Sequence, residues 1–203
     1  EISECLVGSE MCIRDRFKGN NNFEYDLVDI VRQAIAEKGR LTEKVVEAAF
    51  AAGDKKLYKD ASDRFLRLIL LQDELLATRP EFKVGTWIAR ARSLGNTSEE
   101  KDLYEWNARV QITTWGNRLA ADEGGLRDYA HREWNGILKD FYYMRWKTWF
   151  DYQTRLLDGK KTAAIDFYAI EEPWTKQTNP YSNEPEGDCI PTVQRIFAEI
   201  FGK

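Results

Sequence analysis

Histidine and cysteine are scarce in this chain, which has one His and three Cys among 203 residues. A structural zinc site or a Cys-His nucleophile pair would need more of these side chains than the chain supplies. Nucleophile motifs and glycine-rich phosphate loops are also missing. The single histidine, His131, has no partner motif, and we interpret it as a surface or capping-type residue of a predicted helix. The sequence therefore predicts no metal and no cofactor.

Excess charge of one sign is lacking as well. Thirty basic residues stand against thirty-four acidic ones, the net charge is −4, and no cationic block interrupts the chain. This balance disfavours a nucleic-acid or membrane-surface partner. No apolar run approaches the length of a membrane span. Aromatic residues, by contrast, make up 13% of the chain and include seven Trp, enough to fill a helical core or to line a sugar-facing surface.

The first sixteen residues differ from the rest of the chain. Cys5 and Cys12 lie there, and the apolar residues follow neither a helical nor a strand period. The run 5–15 also resembles a translated sequencing-adapter artefact, so we predict a non-native or disordered leader at 1–16; the alternative is a native strand or linker. Residues 17–203 are then predicted to form one domain, long enough to bury a core without disulfides.

Helical periodicity dominates that domain, and no segment alternates cleanly with period two. The sequence predicts an all-α fold of roughly seven helices packed around one core. A solenoid is disfavoured because no period of twenty to fifty residues recurs. The helical segments predicted by periodicity and by capping signals are 25–36, 41–52, 54–77, 84–94, 97–115, 128–157, 162–174 and 192–201, with loops at 117–126 and 178–191. Gly39 separates the first two segments, and Gly53 is predicted to end the second.

The helix predicted before Gly116 carries a row of amide and aromatic side chains. At 3.6 residues per turn, Tyr104, Asn107, Gln111 and Trp115 share one face. Amides offer directional hydrogen bonds to sugar hydroxyls, and an aromatic ring suits the C–H face of a sugar. Spacing alone favours the other interpretation, a polar seam between packed helices.

Arg145 projects from an aromatic stripe of the predicted helix 128–157. Such an arginine must be paired or hydrogen-bonded, because arginine is almost never buried alone. An internal ion pair is favoured over direct substrate contact. The stripe consists of Leu138, Phe141, Tyr142, Arg145 and Trp149, and the candidate partners are Asp26, Asp29 and Asp128.

Three runs together form a family signature. Residues 23–33 read Phe-Glu-Tyr-Asp-Leu-Val-Asp-Ile-Val-Arg-Gln, residues 109–116 read Arg-Val-Gln-Ile-Thr-Thr-Trp-Gly, and residues 140–146 read Asp-Phe-Tyr-Tyr-Met-Arg-Trp. With 128–130 and 185–188 in the same order, the chain resembles the C-terminal helical domain of the α-N-acetylglucosaminidases, glycoside hydrolase family 89. It departs from the family at Ile137, where Leu is usual, and in the loop 117–127, which does not align.

The resemblance implies a role in an enzyme that removes terminal α-linked N-acetylglucosamine from glycans, including heparan sulfate. In that family an upstream (β/α)₈ barrel carries two catalytic glutamates for retaining hydrolysis, and the helical domain packs against the barrel and helps to wall the pocket. The motifs with those glutamates are missing here, so we expect the chain alone to be inactive and its partners to be the barrel and the glycan. Tyr104, Asn107, Gln111, Trp115 and Arg145 are the candidate substrate-binding residues.

The resemblance also implies a periplasmic, secreted or lysosomal location. Two other classes of function stay open, a free-standing helical interaction protein and a purely structural accessory domain.

Overall fold

The computed structural model describes residues 17–178 and 180–202. The predicted leader, 1–16, lies outside the described residues. A short 3₁₀ turn, Pro80–Phe82, and two π-helical turns, Leu119–Glu123 and Leu138–Tyr142, accompany the α-helices. In chain order the α-helices are α1 (Asn21–Ala52), α2 (Lys55–Ala77), α3 (Val84–Arg92), α4 (Ser98–Gln111), α5 (Tyr143–Leu157), α6 (Phe167–Thr175) and α7 (Cys189–Phe201).

Helices α1 and α2 form a long helical hairpin. Asn20 caps the start of α1 by accepting a hydrogen bond from the backbone N–H of Phe23, at 3.0 Å. Gly53 ends α1 in the left-handed conformation, with φ 70°, as predicted. The predicted break after Gly39 is wrong, because α1 continues through this glycine. In the hairpin Gly39 lies beside the ring of Phe65.

Helix α4 begins where the sequence predicts and ends earlier. Thr97 and Glu100 form a capping box, in which the side chain of each residue accepts a hydrogen bond from the backbone N–H of the other. The helix stops at Gln111 rather than at Trp115. Trp115 consequently lies beyond the helix, in the segment that follows it.

The predicted helix 128–157 is wrong in its first third. Asp128 and His131 have φ values of 58° and 45°, which no helix accommodates, and Gly136 has φ 90°. His131 is therefore an exposed residue just after a turn and not a helical one. The Asp73 carboxylate accepts hydrogen bonds from the backbone N–H groups of Gly136, at 2.7 Å, and Lys139, at 3.2 Å, and so caps the π-helical turn that leads into α5.

The last two helices also shift from their predicted bounds. Helix α6 starts at Phe167, five residues after the predicted Thr162, with Asp166 as its N-cap. Helix α7 starts at Cys189, so the predicted loop 178–191 ends at Asp188. Pro191 fits in the first turn of α7 because no intrahelical hydrogen bond needs its missing N–H there.

The helices enclose a core built from three apolar clusters. Residues of α1, α2 and α7 form most of the first cluster. Helix α3 and the π-helical turn before α5 contribute to the second, and the closed end of the α1/α2 hairpin packs on Phe150 in the third. Trp134 and Tyr142 contact both of the first two clusters. The predicted all-α fold of roughly seven helices is confirmed, and residues 17–178 and 180–202 contain no strand. No helix in these ranges is long and apolar enough to cross a membrane.

Candidate functional site

The segment from Thr113 to Tyr129, here called the aromatic loop, leaves α4 and returns to its starting point. The backbone N–H of Asp128 donates to the carbonyl of Thr113, at 2.7 Å, and closes the loop at its base. The N–H of Trp115 donates to the carbonyl of Val110, also at 2.7 Å. Trp115 and Asp128 both have left-handed backbone conformations, with φ 63° and 58°. Non-glycine residues adopt this conformation at a cost, and such residues cluster at functional sites.

Two aromatic rings project from the two ends of the aromatic loop. The Trp115 and Tyr129 ring centroids are 5.3 Å apart and the ring planes meet at 57°. Trp115 is 39% exposed and Tyr129 is 65% exposed. Large exposed aromatics held by a strained backbone are poorly explained by core packing, whereas a ligand surface would use them.

The predicted face of α4 lies at the protein surface. Tyr104, Asn107 and Gln111 are all exposed, so they do not form the polar seam between packed helices that spacing favoured. Within the described part of the chain, the Asn107 and Gln111 side chains make no hydrogen bond. These residues and Trp115 leave their polar and aromatic groups available to a ligand or to another domain.

Arg145 lies in α5 among charged neighbours, here called the ion cluster, which comprises Arg127, Asp128, Arg145 and Glu171. The Arg145 side chain is 23% exposed; its Nη1 is 3.0 Å from Asp128 Oδ2, and its Nε is 3.0 Å from Glu171 Oε1. The hydroxyl of Tyr142 donates to the other Asp128 oxygen. The predicted half-buried arginine with a carboxylate partner is confirmed. Of the three candidate partners, only Asp128 forms the pair; Asp29 binds Arg32 instead.

Glu171 is the most deeply buried member of the ion cluster. Its side chain is 0% exposed, and neither carboxylate oxygen accepts a hydrogen bond from a described residue. The contact with Arg145 is therefore close in distance without having hydrogen-bond geometry. Burial raises the pKa of Glu171, and the positive charges of Arg145 and Arg127 partly oppose that rise. Burial and the charge of Asp128 likewise raise the pKa of Tyr142.

A cleft of about 280 Å³ lies between α1, α2 and the segment before α5, and Asp128 of the ion cluster and Tyr142 are among its lining residues. Phe65 and Trp146 line it, together with Arg40, Glu43 and Glu133, whose charges are mixed in sign. It contains none of the predicted residues of α4. Across the described ranges, no group of three or more His, Cys, Asp or Glu side chains is arranged to hold a metal ion.

Sequence reasoning missed Tyr129 and Glu171. Tyr129 follows two glycines, Gly124 and Gly125, and this turn signal argues against the predicted helical start at Asp128. Glu171 gives no comparable signal, because its contact with Arg145 joins helices that are distant in sequence. Only the packing of α6 on α5 brings these two residues together.

Comparisons with known proteins agree with this architecture. The family model of the alpha-N-acetylglucosaminidase (NAGLU) C-terminal domain matches residues 9–199. Human alpha-N-acetylglucosaminidase is 28% identical over 189 residues, which are 88% of this chain and 24% of the human protein. The chain thus spans about a quarter of the length of that relative.

Solved structures from Clostridium perfringens are also similar. A family 89 glycoside hydrolase in complex with 2-acetamido-1,2-dideoxynojirmycin is 37% identical, with a TM-score of 0.87 over 93% of this chain and 22% of the other. A second structure, of a GH89 protein in complex with its substrate GlcNAc-alpha-1,4-galactose, has a TM-score of 0.86 at the same identity, over 92% of this chain and 22% of the other.

Proposed function

This chain belongs to the family of α-N-acetylglucosaminidase C-terminal domains, and from that premise we propose that it forms one wall of a substrate pocket in a retaining glycosidase. The substrate is a glycan that ends in α-linked N-acetylglucosamine, with heparan sulfate among the candidates. The domain packs against a catalytic (β/α)₈ barrel. The relatives it matches are about four times as long as this chain, which leaves room for such a barrel.

The observation that carries the proposal is the exposed ring pair of Trp115 and Tyr129. Sugars present flat C–H faces to aromatic rings and hydroxyl groups to amides. The exposed amides of Asn107 and Gln111 lie on α4, which precedes the aromatic loop and its ring pair. Exposed rings and exposed amides together supply both kinds of contact that a sugar needs.

The catalytic glutamates belong to the barrel in this proposal. Retaining hydrolysis needs two carboxyl groups about 5 to 5.5 Å apart on either side of the glycosidic bond. Three buried carboxylates of this chain already have structural partners: Asp73 caps a helical turn, Glu105 binds Arg109 and Arg92, and Glu171 contacts Arg145. We assign none of them to bond cleavage.

Additional exposed apolar residues suit contact with the barrel. Leu103 and Trp106 lie on α4 beside the candidate sugar-facing residues and are 55% and 45% exposed. Interfaces between domains of one chain commonly bury about 600 to 1,500 Å². A domain surface of this kind supports a pocket wall more directly than a free-standing interaction protein.

Substitution of Trp115 in the full-length enzyme tests the proposal. Truncation of an aromatic anchor costs about 2 kcal/mol or more, so Trp115→Ala should lower kcat/KM for an aryl α-N-acetylglucosaminide about thirty-fold. Phe197→Ala is the matched control, because this exposed ring of α7 contacts Phe201 and not the aromatic loop. Equal kcat/KM values for Trp115→Ala, Tyr129→Ala and the parent enzyme would favour a purely structural accessory domain.

A further inference from the structure

The Asp128 carboxylate joins the aromatic loop to the helical core. The backbone N–H of Asp128 closes the base of the aromatic loop by its bond to Thr113. Tyr129, the next residue, carries one of the two exposed rings. The carboxylate itself accepts from Tyr142 and pairs with Arg145, both of which lie at the start of the α5 region. The conformation of Asp128 therefore determines where the Tyr129 ring points.

That conformation needs support from neighbouring residues. Trp115, Asp128 and His131 all have positive φ values, although none of them is glycine. Strained backbone of this kind persists only where the surroundings over-determine it. The backbone of Asp128 bonds to Thr113 and accepts from the N–H of His131, at 3.2 Å, and its side chain contacts Tyr142 and Arg145.

Glu171 completes the chain of contacts from α6. Its fully buried carboxylate lies against Arg145 Nε and 3.7 Å from Arg127 Nη1. Burying a carboxylate without hydrogen bonds is unfavourable, and a buried ion pair often stabilises a fold no better than apolar residues of the same size. Stability alone is thus a weak explanation for Glu171. Its position does orient the guanidinium, with Nε toward α6 and Nη1 toward Asp128.

We propose that Arg145 and Glu171 are positioning residues: they hold Asp128 in its left-handed conformation and thereby fix Trp115 and Tyr129 in the orientation that meets the sugar. This inference rests on the proposed function, since it assigns a task to the ring pair of the same site. Arg145 acts on the substrate only through the aromatic loop. The path runs from Glu171 on α6 through Arg145 on α5 to Asp128 and Tyr129.

Two conservative substitutions in the full-length enzyme test the proposal. Arg145→Lys keeps the charge but loses the planar fork that serves two carboxylates at once. Glu171→Gln keeps the shape but removes the charge that orients the guanidinium. If the rings bind substrate and transition state alike, each variant should raise KM about ten-fold and leave kcat within about two-fold of the parent value.

Arg79→Lys is the matched control for the loss of a buried guanidinium. The Arg79 side chain is 7% exposed and also serves two carboxylates, Glu24 at 3.3 Å and Glu81 at 3.0 Å, far from the aromatic loop in sequence. The Arg79→Lys variant should lower the melting temperature without changing KM. If Arg145→Lys and Glu171→Gln behave as Arg79→Lys does, the positioning role is overturned.

A spectroscopic readout separates this inference from the proposed function. The 203-residue chain can be labelled with 5-fluorotryptophan, and among its seven Trp signals that of Trp115 is identified by its loss in Trp115→Phe. Glu171→Gln should shift or broaden the Trp115 ¹⁹F signal, whereas Arg79→Lys should not. An unchanged Trp115 signal in both Arg145→Lys and Glu171→Gln refutes the positioning role. Full activity of both Trp115→Ala and Tyr129→Ala would refute the pocket wall, even where the ¹⁹F shift shows that the ion cluster positions the aromatic loop.

Discussion

Replacement of Arg145 by alanine gives the most direct test of the ion cluster. Arg145→Ala leaves the Glu171 carboxylate buried, with Arg127 Nη1 at 3.7 Å as its nearest cation, and removes the guanidinium from Asp128. Loss of one partner of a buried ion pair costs about 3 to 5 kcal/mol. Because Arg127 partly compensates Glu171 and the Arg145 side chain is 23% exposed, we expect the lower end, about 3 kcal/mol. For a domain of this size that corresponds to a decrease in melting temperature of roughly 6 to 12 °C.

The assay is thermal and urea unfolding of the 203-residue chain, followed by circular dichroism. Arg145→Lys should recover only part of the loss, because an ammonium group cannot bond two carboxylates in the geometry of a guanidinium. Glu171→Gln should relieve the uncompensated charge, so the double variant should be more stable than the sum of the single effects by about 1 to 3 kcal/mol. If Arg145→Ala melts like the parent chain, the guanidinium is solvated and the argument from the ion cluster is wrong.

Two other predictions concern the whole chain, and a third concerns Glu171. Purified chain should not hydrolyse an aryl α-N-acetylglucosaminide above the no-enzyme rate; turnover that survives repurification would place a catalytic pair among its own residues. Deletion of residues 1–16 should change the free energy of unfolding by less than about 0.5 kcal/mol, and a melting temperature lower by several degrees would show that this segment is native and packed. The raised pKa of Glu171 should make its contribution to stability greatest below about pH 4.3 and diminish it as the pH rises through the folded-state pKa. The stability of the parent relative to Glu171→Gln should fall across that window in urea titrations, and a pH-independent difference would mean that the charges of Arg145 and Arg127 cancel the effect of burial on the Glu171 pKa.

The sequence predicts the helices well where one amphipathic face meets the core. Caps such as the Thr97 and Glu100 box and the Gly53 stop are local, so residues adjacent in sequence are enough to reveal them. The break predicted at Gly39 fails because a single glycine costs only about 1 kcal/mol in a helix. Packing of both halves of α1 along α2 outweighs that cost.

The predicted helix from Asp128 fails for the opposite reason, because distant contacts override the local pattern. The backbone of Asp128 bonds to Thr113, and that of Asn135 bonds to Phe82, at 2.7 Å in each case. Gly136 fits there because of its φ of 90°, and a Cβ at this position would lie 2.8 Å from the side chain of Val84. Helical periodicity contains no information about these partners, which are set only when the fold assembles.

The same limit applies to the candidate site. The sequence could place Tyr104, Asn107 and Gln111 on one face of a helix, since that placement needs only the helical period. It could pair Arg145 with a carboxylate, since burial demands one, but it could not choose Asp128 over Asp29 or add Glu171. Those choices depend on how α5, α6 and the aromatic loop meet.

Backbone strain in and beside the aromatic loop connects its structure with its proposed task. Each non-glycine residue with positive φ costs about 1 to 3 kcal/mol, and Trp115, Asp128 and His131 all have it. Glycine would relieve the strain, and the loop does use it at Gly125, where φ is 64°. Trp115 and Asp128 instead keep side chains that glycine lacks: one is an exposed ring and the other anchors the loop to Arg145 and Tyr142. We therefore connect the strain at these two positions with the orientation of the ring pair. The contacts of the ion cluster with Asp128 support the strained backbone.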